Sequence, residues 1–323
     1  MNLVKRYNLT PDKAISRIRN CVDKLSAFGY FPTFFVPGII VRAHSGLIKE
    51  LQEKGCEIGV HGYQHIDLCS ASPQEANQQL VKAVMLFNEL DLQCDGFRCP
   101  YLGVSNDLLQ ELEPGLFDYS SNRAIAWIDS NPIKNHKNHM FEIIEGFYIP
   151  AFAESTLCLP YKKGNILEIP VCVPDDLQMR DGMGYTQDEI SATYLKIFNH
   201  IQRRGELFNL MFHPELSCLL DQPFNQVLVE VQNHNYRVWI TRLRDICAWW
   251  KEKDDYNFQI NRLNGNYHLV IEPQKRATLL QRGIDNNLLS VYWDEKYQRI
   301  LEKRIVLSED YLPLIGVSPD SPD

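Results

Sequence analysis

Three short segments carry side chains that could do chemistry. His61-Gly62-Tyr63-Gln64-His65 holds two imidazoles four residues apart, and in a helical turn this spacing lets both bind one divalent ion. Arg98 lies in Gly96-Phe97-Arg98-Cys99-Pro100-Tyr101, where a guanidinium can bind a carboxylate through two hydrogen bonds. His213 follows the apolar run 208–212, and an imidazole titrates in the range suited to proton transfer.

Each segment taken alone also has a purely structural explanation. An H-x₃-H pair is more often an exposed turn than a metal site. Arg98 suits a surface position with Tyr101 packed against a rim, and His213 suits a hydrogen-bonded place at the edge of a core. All three segments, however, follow a predicted apolar strand, and loops that follow buried strands are where functional residues concentrate.

Helices and short apolar strands alternate from Thr10 to about Lys253. Thr10 as N-cap and Pro11 at the first helical position begin one helix, and capping boxes at 72–75 and 186–189 begin two more. Repeated strand–helix units predict a mainly parallel sheet or a barrel, with functional loops at the C-terminal ends of the strands. The predicted strands are 33–36, 57–60, 96–98, 117–120, 147–150, 167–173, 208–212 and 236–240.

The pattern changes after Lys253. Strand-like alternation replaces helical periodicity, with Asn264-Gly265 as a hairpin turn. We therefore expect three parts: an α/β domain over 1–254, a small β module over 255–312 and a disordered tail over 313–323. Trp249 and Trp250 lie near the first boundary, where we expect interdomain packing rather than substrate stacking.

Composition narrows the classes of function. The 323 residues include 33 basic and 41 acidic side chains, a formal net charge of −8, which argues against a nucleic-acid partner. The longest apolar stretch, 32–41, contains Pro37 and Gly38 and falls short of the ~20 residues of a spanning helix, so no membrane span is expected. Nine cysteines without a C-x-x-C pair favour buried thiols in the cytoplasm, while the oligomeric state has no signal in the sequence.

Taken together, the segments resemble the polysaccharide deacetylase family, the carbohydrate esterases built on the NodB homology domain. Four matches carry the resemblance, in the family's order, over about residues 10–250. They are Thr33-Phe34-Phe35-Val36-Pro37-Gly38, His61-Gly62-Tyr63-Gln64-His65, Arg98-Cys99-Pro100-Tyr101 and Phe212-His213-Pro214.

The resemblance implies a fold, a reaction and roles for single residues. The fold is a deformed (β/α) barrel, seven-stranded in the family, and the reaction is metal-assisted removal of an acetyl group from an N-acetylated sugar or cleavage of a small amide. His61 and His65 would bind a divalent ion, usually zinc. The backbone N–H of Tyr101 would stabilise the oxyanion, and His213 would protonate the departing amine. Arg98 would orient a carboxylate that acts as general base.

One part of the family pattern is missing. The T-F-D-D-like strand end that supplies the general base and the third metal ligand should precede the first helix, and nothing before Thr10 resembles it. Asp12 is a poor substitute, because the helix dipole alone explains a carboxylate there. Cys69 and Asp67 continue from the histidine pair, but a packed thiol and a solvated carboxylate explain them better. We expect either that the chain begins late, so that an upstream segment with an export signal would change the cytoplasmic assignment, or that it naturally lacks the base.

Three classes of function follow. The first is a metal-dependent deacetylase or amide hydrolase, and the alternative is a non-catalytic relative that keeps the groove for carbohydrate binding or scaffolding. The third is a purely structural adaptor built on the β module. Acidic side chains between the last strands could line that groove, although acidic loops are usually only solvated. They are Glu168, Asp175, Asp176 and Asp181.

Overall fold

The computed structural model describes residues 10–127, 150–233, 238–254, 258–263, 266–271, 289–294 and 299–307. The chain divides into two compact units, residues 1–247 and 248–323. The boundary expected from the sequence, between 254 and 255, lies a few residues later.

The helices begin where the capping signals predict. The Thr10 side chain accepts a hydrogen bond from Lys13 N at 3.4 Å, and both capping boxes form, at Ser72 and at Thr186. Gly205, at φ 66°, ends the helix that Thr186 begins. The described helices are α1 (Pro11–Ser26), α2 (Gly38–Ala43), α3 (Ser45–Glu53), α4 (Pro73–Glu89), α5 (Asn106–Glu111), α6 (Gln187–Arg204), α7 (Ser217–Asn233) and α8 (Leu243–Asp254).

Two sheets form the strand framework of the first unit. The larger has the order β1-β2-β3-β4-β8-β7, parallel except for the last pair, and the smaller has the parallel order β6-β5-β9. The strands are β1 (Thr33–Val36), β2 (Glu57–Val60), β3 (Gly96–Phe97), β4 (Tyr119–Ser120), β5 (Ala124–Ala126), β6 (Ala151–Phe152), β7 (Tyr161–Lys163), β8 (Ile166–Glu168) and β9 (Val171–Val173).

Strand register aligns the functional loops. One row of paired residues crosses the larger sheet through its parallel strands: Val36, Val60, Phe97, Ser120 and Glu168. Because parallel strands end at the same edge, the residues that follow this row emerge side by side. Both His61 and Arg98 are among them.

Three strand expectations need correction. The expected strand 167–173 is two strands, β8 and β9, because Pro170 has no N–H to donate. The expected strand 208–212 is wrong apart from one bridge between Leu210 and Cys172. Residues 238–240 form no strand, whereas 236–237 and 147–149 lie outside the described residues. Within the described ranges, strand pairing leaves the two sheets separate and does not close a barrel.

Packing fixes the strands at their N-terminal ends. Glu57, 1% exposed, accepts hydrogen bonds from the Tyr119 hydroxyl at 2.6 Å and the Thr33 hydroxyl at 2.7 Å. Gly96 lies against the Tyr119 ring so closely that a Cβ there would come within 2.2 Å of it. This end of the sheet is structural, because its buried carboxylate is fully hydrogen-bonded.

The second unit contains an antiparallel sheet with the order β10-β11-β13-β12. Its strands are β10 (Phe258–Leu263), β11 (Asn266–Ile271), β12 (Leu289–Asp294) and β13 (Arg299–Leu307). The predicted turn at 264–265 and the predicted tail lie outside the described residues. Across the described ranges, every helix is too short or too polar to cross a bilayer.

Candidate functional site

His61 is the first residue after β2, and its ring orientation is fixed. Its backbone N–H donates to Val36 O at 3.2 Å, and its Nδ1 donates to Arg98 O at 2.6 Å. Since a carbonyl oxygen only accepts, Nδ1 carries the proton and Nε2 keeps its lone pair. The pKa of His61 is lowered to about 3, mainly by burial and also by the charges of His65, Arg98 and His213, against the opposing hydrogen bond to Arg98 O. His61 is therefore a neutral, oriented imidazole.

His65 lies against His61 and against Tyr101. Both ring pairs have centroids 5.0 Å apart in edge-to-face arrangement. Tyr101 has φ 59° and ψ 15°, and Leu102 after it has φ 58°. Two consecutive non-glycine residues in the left-handed region store strain of about 1–3 kcal/mol each, a feature that concentrates at functional sites. The histidine pair and the Tyr101 turn thus share one surface.

Arg98 is buried and is held by Ser121. It is 8% exposed, Nε donates to Ser121 O at 3.0 Å, and Nη2 donates to Ser121 Oγ at 2.8 Å. Its guanidinium carbon lies 4.5 Å from the centre of the Phe35 ring. Burial lowers its pKa to about 10, while the charges of Tyr119, Glu168 and Asp175 raise it. Among the described residues, the guanidinium is bound to Ser121 rather than clamped on a carboxylate, so it fixes the loop that carries Tyr101.

His213 is held by a carboxylate at two atoms. Its Nδ1 donates to Asp176 Oδ1 at 2.6 Å, and its backbone N–H donates to Asp176 Oδ2 at 2.7 Å. Asp176 is fully buried, whereas the His213 side chain is 31% exposed. Burial alone would lower the pKa of His213, but the hydrogen bond and charge of Asp176, with the charges of Asp175 and Glu215, raise it to about 9. His213 is therefore protonated at neutral pH, with Nδ1 committed to Asp176.

A group of potential metal-binding atoms forms around the same histidine. Asp175, Asp176 and His213 each offer one ligand-type atom within 4.8 Å of the others, and this is the one such trio in the part of the chain that the structure describes. The histidine pair at 61 and 65 therefore has no third partner of that kind among these residues. Within this trio, the short hydrogen bond joins Asp176 Oδ1 to His213 Nδ1 and leaves Nε2 of the ring outside that bond.

The other ligand candidates have local structural roles. Asp67 Oδ1 accepts from Cys69 N at 2.9 Å and Asp67 Oδ2 from the Ser70 hydroxyl at 2.6 Å, which caps a short turn. A Cβ on Gly103 would come within 3.2 Å of Cys69 Sγ, so the thiol lies beside that loop. Asp12 is exposed in the first turn of α1. Asp12 thus lies where the helix dipole favours a carboxylate and Asp67 caps a turn, whereas Cys69 is exposed rather than packed.

Sequence reasoning missed the polar network between the strand ends. The expectation of solvated acidic loops is wrong for Glu168, Asp175 and Asp176, which are 1%, 4% and 0% exposed. Asn209 donates to Ser121 Oγ at 3.1 Å and so links the Arg98 loop to the segment that leads to His213. The position of Asp175 and Asp176 in the sequence could have indicated them as site residues, because they follow the buried strand β9 just as His61 follows β2.

Comparison with known proteins matches one family to the segment that contains four of the predicted site residues. The profile of the polysaccharide deacetylase family matches residues 5–114, a range that includes His61, His65, Arg98 and Tyr101. The peptidoglycan-N-acetylglucosamine deacetylase PgdA of Listeria monocytogenes serotype 1/2a (strain 10403S) is 29% identical over 119 residues, 36% of this chain. The aligned stretch spans only 26% of the length of that relative.

Solved structures extend the likeness to the fold. A protein from Mycobacterium smegmatis described as a polysaccharide deacetylase superposes with a TM-score of 0.55 at 18% identity, covering 78% of this chain and 81% of that one. An allantoinase superposes with a TM-score of 0.54 at 19% identity, covering 76% and 74%. These neighbours identify the α/β architecture as the deformed barrel of the NodB type, as the sequence predicted.

Proposed function

Because the chain belongs to the polysaccharide deacetylase family, of the NodB type, we propose that it removes acetyl groups from an N-acetylated sugar or polysaccharide. The observation that carries the proposal is the pairing of His213 with buried Asp176 in electrostatic reach of the His61–His65 pair. A proton donor and a pair of imidazoles that can bind a metal ion suit the hydrolysis of an amide. The substrate named for the Listeria relative, N-acetylglucosamine in peptidoglycan, is the first candidate.

His213 supplies the proton for the leaving amine. Its pKa of about 9 keeps the imidazolium populated at neutral pH, and the bond to Asp176 leaves Nε2 as the atom that can donate outward. Proton transfer to nitrogen by a positioned imidazole contributes about 10²–10⁴ in rate. Without this transfer, the expelled amide nitrogen would leave as a strong base.

His61 and His65 would hold a divalent cation, with zinc as the candidate. The proton on His61 Nδ1 is fixed by Arg98 O, so Nε2 is ready as a ligand, an arrangement typical of metal-binding histidines. Such an ion lowers the pKa of a bound water and polarises the carbonyl group. The proposal for the ion rests on these two imidazoles and on the fixed ring orientation of His61.

The Tyr101 turn and Arg98 position the substrate carbonyl. Arg98 holds the loop through Ser121, and the left-handed backbone of Tyr101 directs its N–H away from an ordinary helical course. A backbone N–H aimed at the developing oxyanion typically contributes about 2.7–4 kcal/mol. We propose this role for Tyr101 N–H, with Arg98 as the positioning residue.

Acetate release from N-acetylglucosamine oligomers and from peptidoglycan fragments tests the function. Wild-type protein, with and without added Zn²⁺, is compared with His213→Gln, His61→Ala and the control His200→Gln on the exposed face of α6. We expect metal-stimulated acetate release, a loss of about 10²-fold or more in kcat for His213→Gln, and wild-type rates for the control. Oligosaccharide binding without acetate release from any substrate would instead establish the non-catalytic alternative.

A further inference from the structure

We propose that Gln79, on α4, is a positioning residue for the histidine pair: it holds the turn between His61 and His65 so that the two imidazoles stay together. The inference rests on the proposed function, in which this pair binds a divalent cation. It depends on how each histidine is held, on the contacts of the residues between them and on the place of Gln79 on its helix.

The two histidines are held in different ways. His61 follows β2, and both its backbone N–H and its Nδ1 donate hydrogen bonds, to Val36 O and to Arg98 O. His65 is exposed, and within the described ranges its ring is held by edge-to-face contacts with the rings of His61 and Tyr101 and by no hydrogen bond. The position of His65 relative to His61 therefore depends on the backbone of the turn that joins them.

The N-terminus of α2 holds the first half of that turn. Gly38 N donates to Gly62 O at 3.0 Å, and Ile39 N donates to Tyr63 O at 2.9 Å. Both donors belong to the first turn of α2, where N–H groups have no partner inside their own helix. Gly38 also lies so close to Tyr63 that a Cβ on it would come within 2.7 Å of a ring carbon. The backbone on the His61 side of the turn is thus fixed by α2.

Two side chains of α4 hold the second half of the turn. Gln79 Oε1 accepts from Gln64 N at 3.0 Å. Lys82, on the same face of α4 as Gln79, has its Nζ 4.0 Å from the centre of the Tyr63 ring. Because Gln64 directly precedes His65, the hydrogen bond to Gln79 fixes the backbone one residue before the second imidazole.

Gln79 reaches the turn from a rigid part of the structure. It is half-buried, and Ala76 and Ala83, on the same face of α4, are 1% and 0% exposed. The helix is therefore packed against the rest of the unit at this point, and the base of the Gln79 side chain is fixed. Supporting groups on rigid helices hold a site more precisely than groups on loops do.

The effect of this hydrogen bond falls on metal binding. Without it, the backbone before His65 has more conformations in the metal-free protein, and a cation bound by both imidazoles must then order it. Groups that hydrogen-bond a metal ligand directly contribute about 10- to 100-fold to affinity. Gln79 acts one residue away from the ligand through a partly exposed bond, so we expect about 3- to 10-fold.

Zn²⁺ titration of wild-type protein, Gln79→Leu and Gln79→Glu tests the proposal. Leu has about the size of Gln but no acceptor, whereas Glu keeps the acceptor oxygen. We expect the Zn²⁺ affinity of Gln79→Leu to fall about 3- to 10-fold and that of Gln79→Glu to be at least as high as in wild type. The Zn²⁺ concentration that gives half-maximal acetate release should rise by the same factor in Gln79→Leu.

The preceding residue of the same helix provides the matched controls. Gln78 is exposed, so Gln78→Leu tests the loss of an amide on α4 and Gln78→Glu the added charge. Both should bind Zn²⁺ with the affinity of wild type. Tighter binding by Gln79→Glu together with unchanged binding by Gln78→Glu assigns the effect to the acceptor at position 79.

Hydrogen exchange in metal-free protein separates this inference from the proposed function. The Gln64 amide should exchange faster in Gln79→Leu than in wild type, and at the wild-type rate in Gln78→Leu. A Zn²⁺ affinity of Gln79→Leu less than about threefold below wild type, or equal exchange of the Gln64 amide in both, overturns the role of Gln79 and leaves the deacetylase function intact. Wild-type protein that binds no Zn²⁺ overturns the proposed metal site together with this role.

Discussion

Replacing Asp176 by Asn should change the titration of His213 more than any other single change near the site. Burial lowers the pKa of His213, and the hydrogen bond and charge of Asp176 are the first of the influences that raise it to about 9. Asn keeps an oxygen that can accept the backbone N–H but removes the charge. We therefore expect the pKa of His213 in Asp176→Asn to fall below its ordinary value of 6.5.

The size of the effect follows from that shift. A rise from 6.5 to about 9 is about 2.5 pH units, which at about 1.36 kcal/mol per unit corresponds to about 3 kcal/mol. Since the pKa is raised in the folded state, this stabilisation is fully present below pH 6.5 and is lost as the pH rises through about 9. Asp176→Asn should thus be destabilised at low pH, with little difference from wild type above about pH 10.

NMR titration of the His213 ring and urea unfolding as a function of pH measure the two quantities. Glu215→Gln is the matched control, because Glu215 is the weakest of the charges that raise the pKa of His213. The Glu215→Gln variant should change the pKa of His213 only slightly. A pKa of His213 that stays near 9 in Asp176→Asn would refute the account of the dyad, and so would a loss of stability that does not depend on pH.

Three further predictions concern stability and share one measurement, urea unfolding at pH 7. Gly96→Ala should lower the free energy of unfolding by about 1–3 kcal/mol or more because the new Cβ meets the Tyr119 ring, whereas Gly46→Ala, with open space around its Cβ, should be neutral or stabilising. Thr186→Ala removes the N-cap of α6 and should cost about 1 kcal/mol; no change would show that the cap is redundant. Arg98→Ala leaves buried acceptors unpaired and should cost about 1–3 kcal/mol, and an unchanged stability would contradict the role given to its two hydrogen bonds.

Short sequence patterns predicted the helices and strands well, because the interactions that form them join residues close together in the chain. Thr10, Ser72 and Thr186 each cap the helix they were expected to begin, with hydrogen bonds to the third residue beyond. β1 and β2 lie where short apolar runs indicated. The family resemblance, carried by four short motifs, predicted the NodB-type fold.

Interactions between distant residues were the ones that sequence reasoning could not supply. Asp176 and His213 are 37 positions apart, and no spacing rule connects a strand-end aspartate to a histidine at that separation. Arg98 binds Ser121, 23 positions away, through Nε and Nη2, and no motif indicated this partner. The apolar run that precedes His213 predicts a strand, but only Leu210 forms a bridge, to Cys172.

Strand register explains why candidate site residues that are far apart in the sequence lie close together in the fold. One row of paired residues from Val36 to Glu168 fixes where β1, β2, β3, β4 and β8 end. His61 and Arg98 follow β2 and β3, so both lie at the same edge of the sheet. The two aspartates follow β9 of the smaller sheet, whereas His213 depends on the Leu210–Cys172 bridge and on bonds through Asn209. His61, a proposed metal ligand, is thus positioned by the larger sheet, and His213, the proposed proton donor, by one bridge and a few hydrogen bonds. Substitutions that loosen those bonds, such as Asn209→Ala, should therefore impair proton transfer before they impair metal binding, and the reverse order in paired assays of kcat and Zn²⁺ affinity would contradict this division.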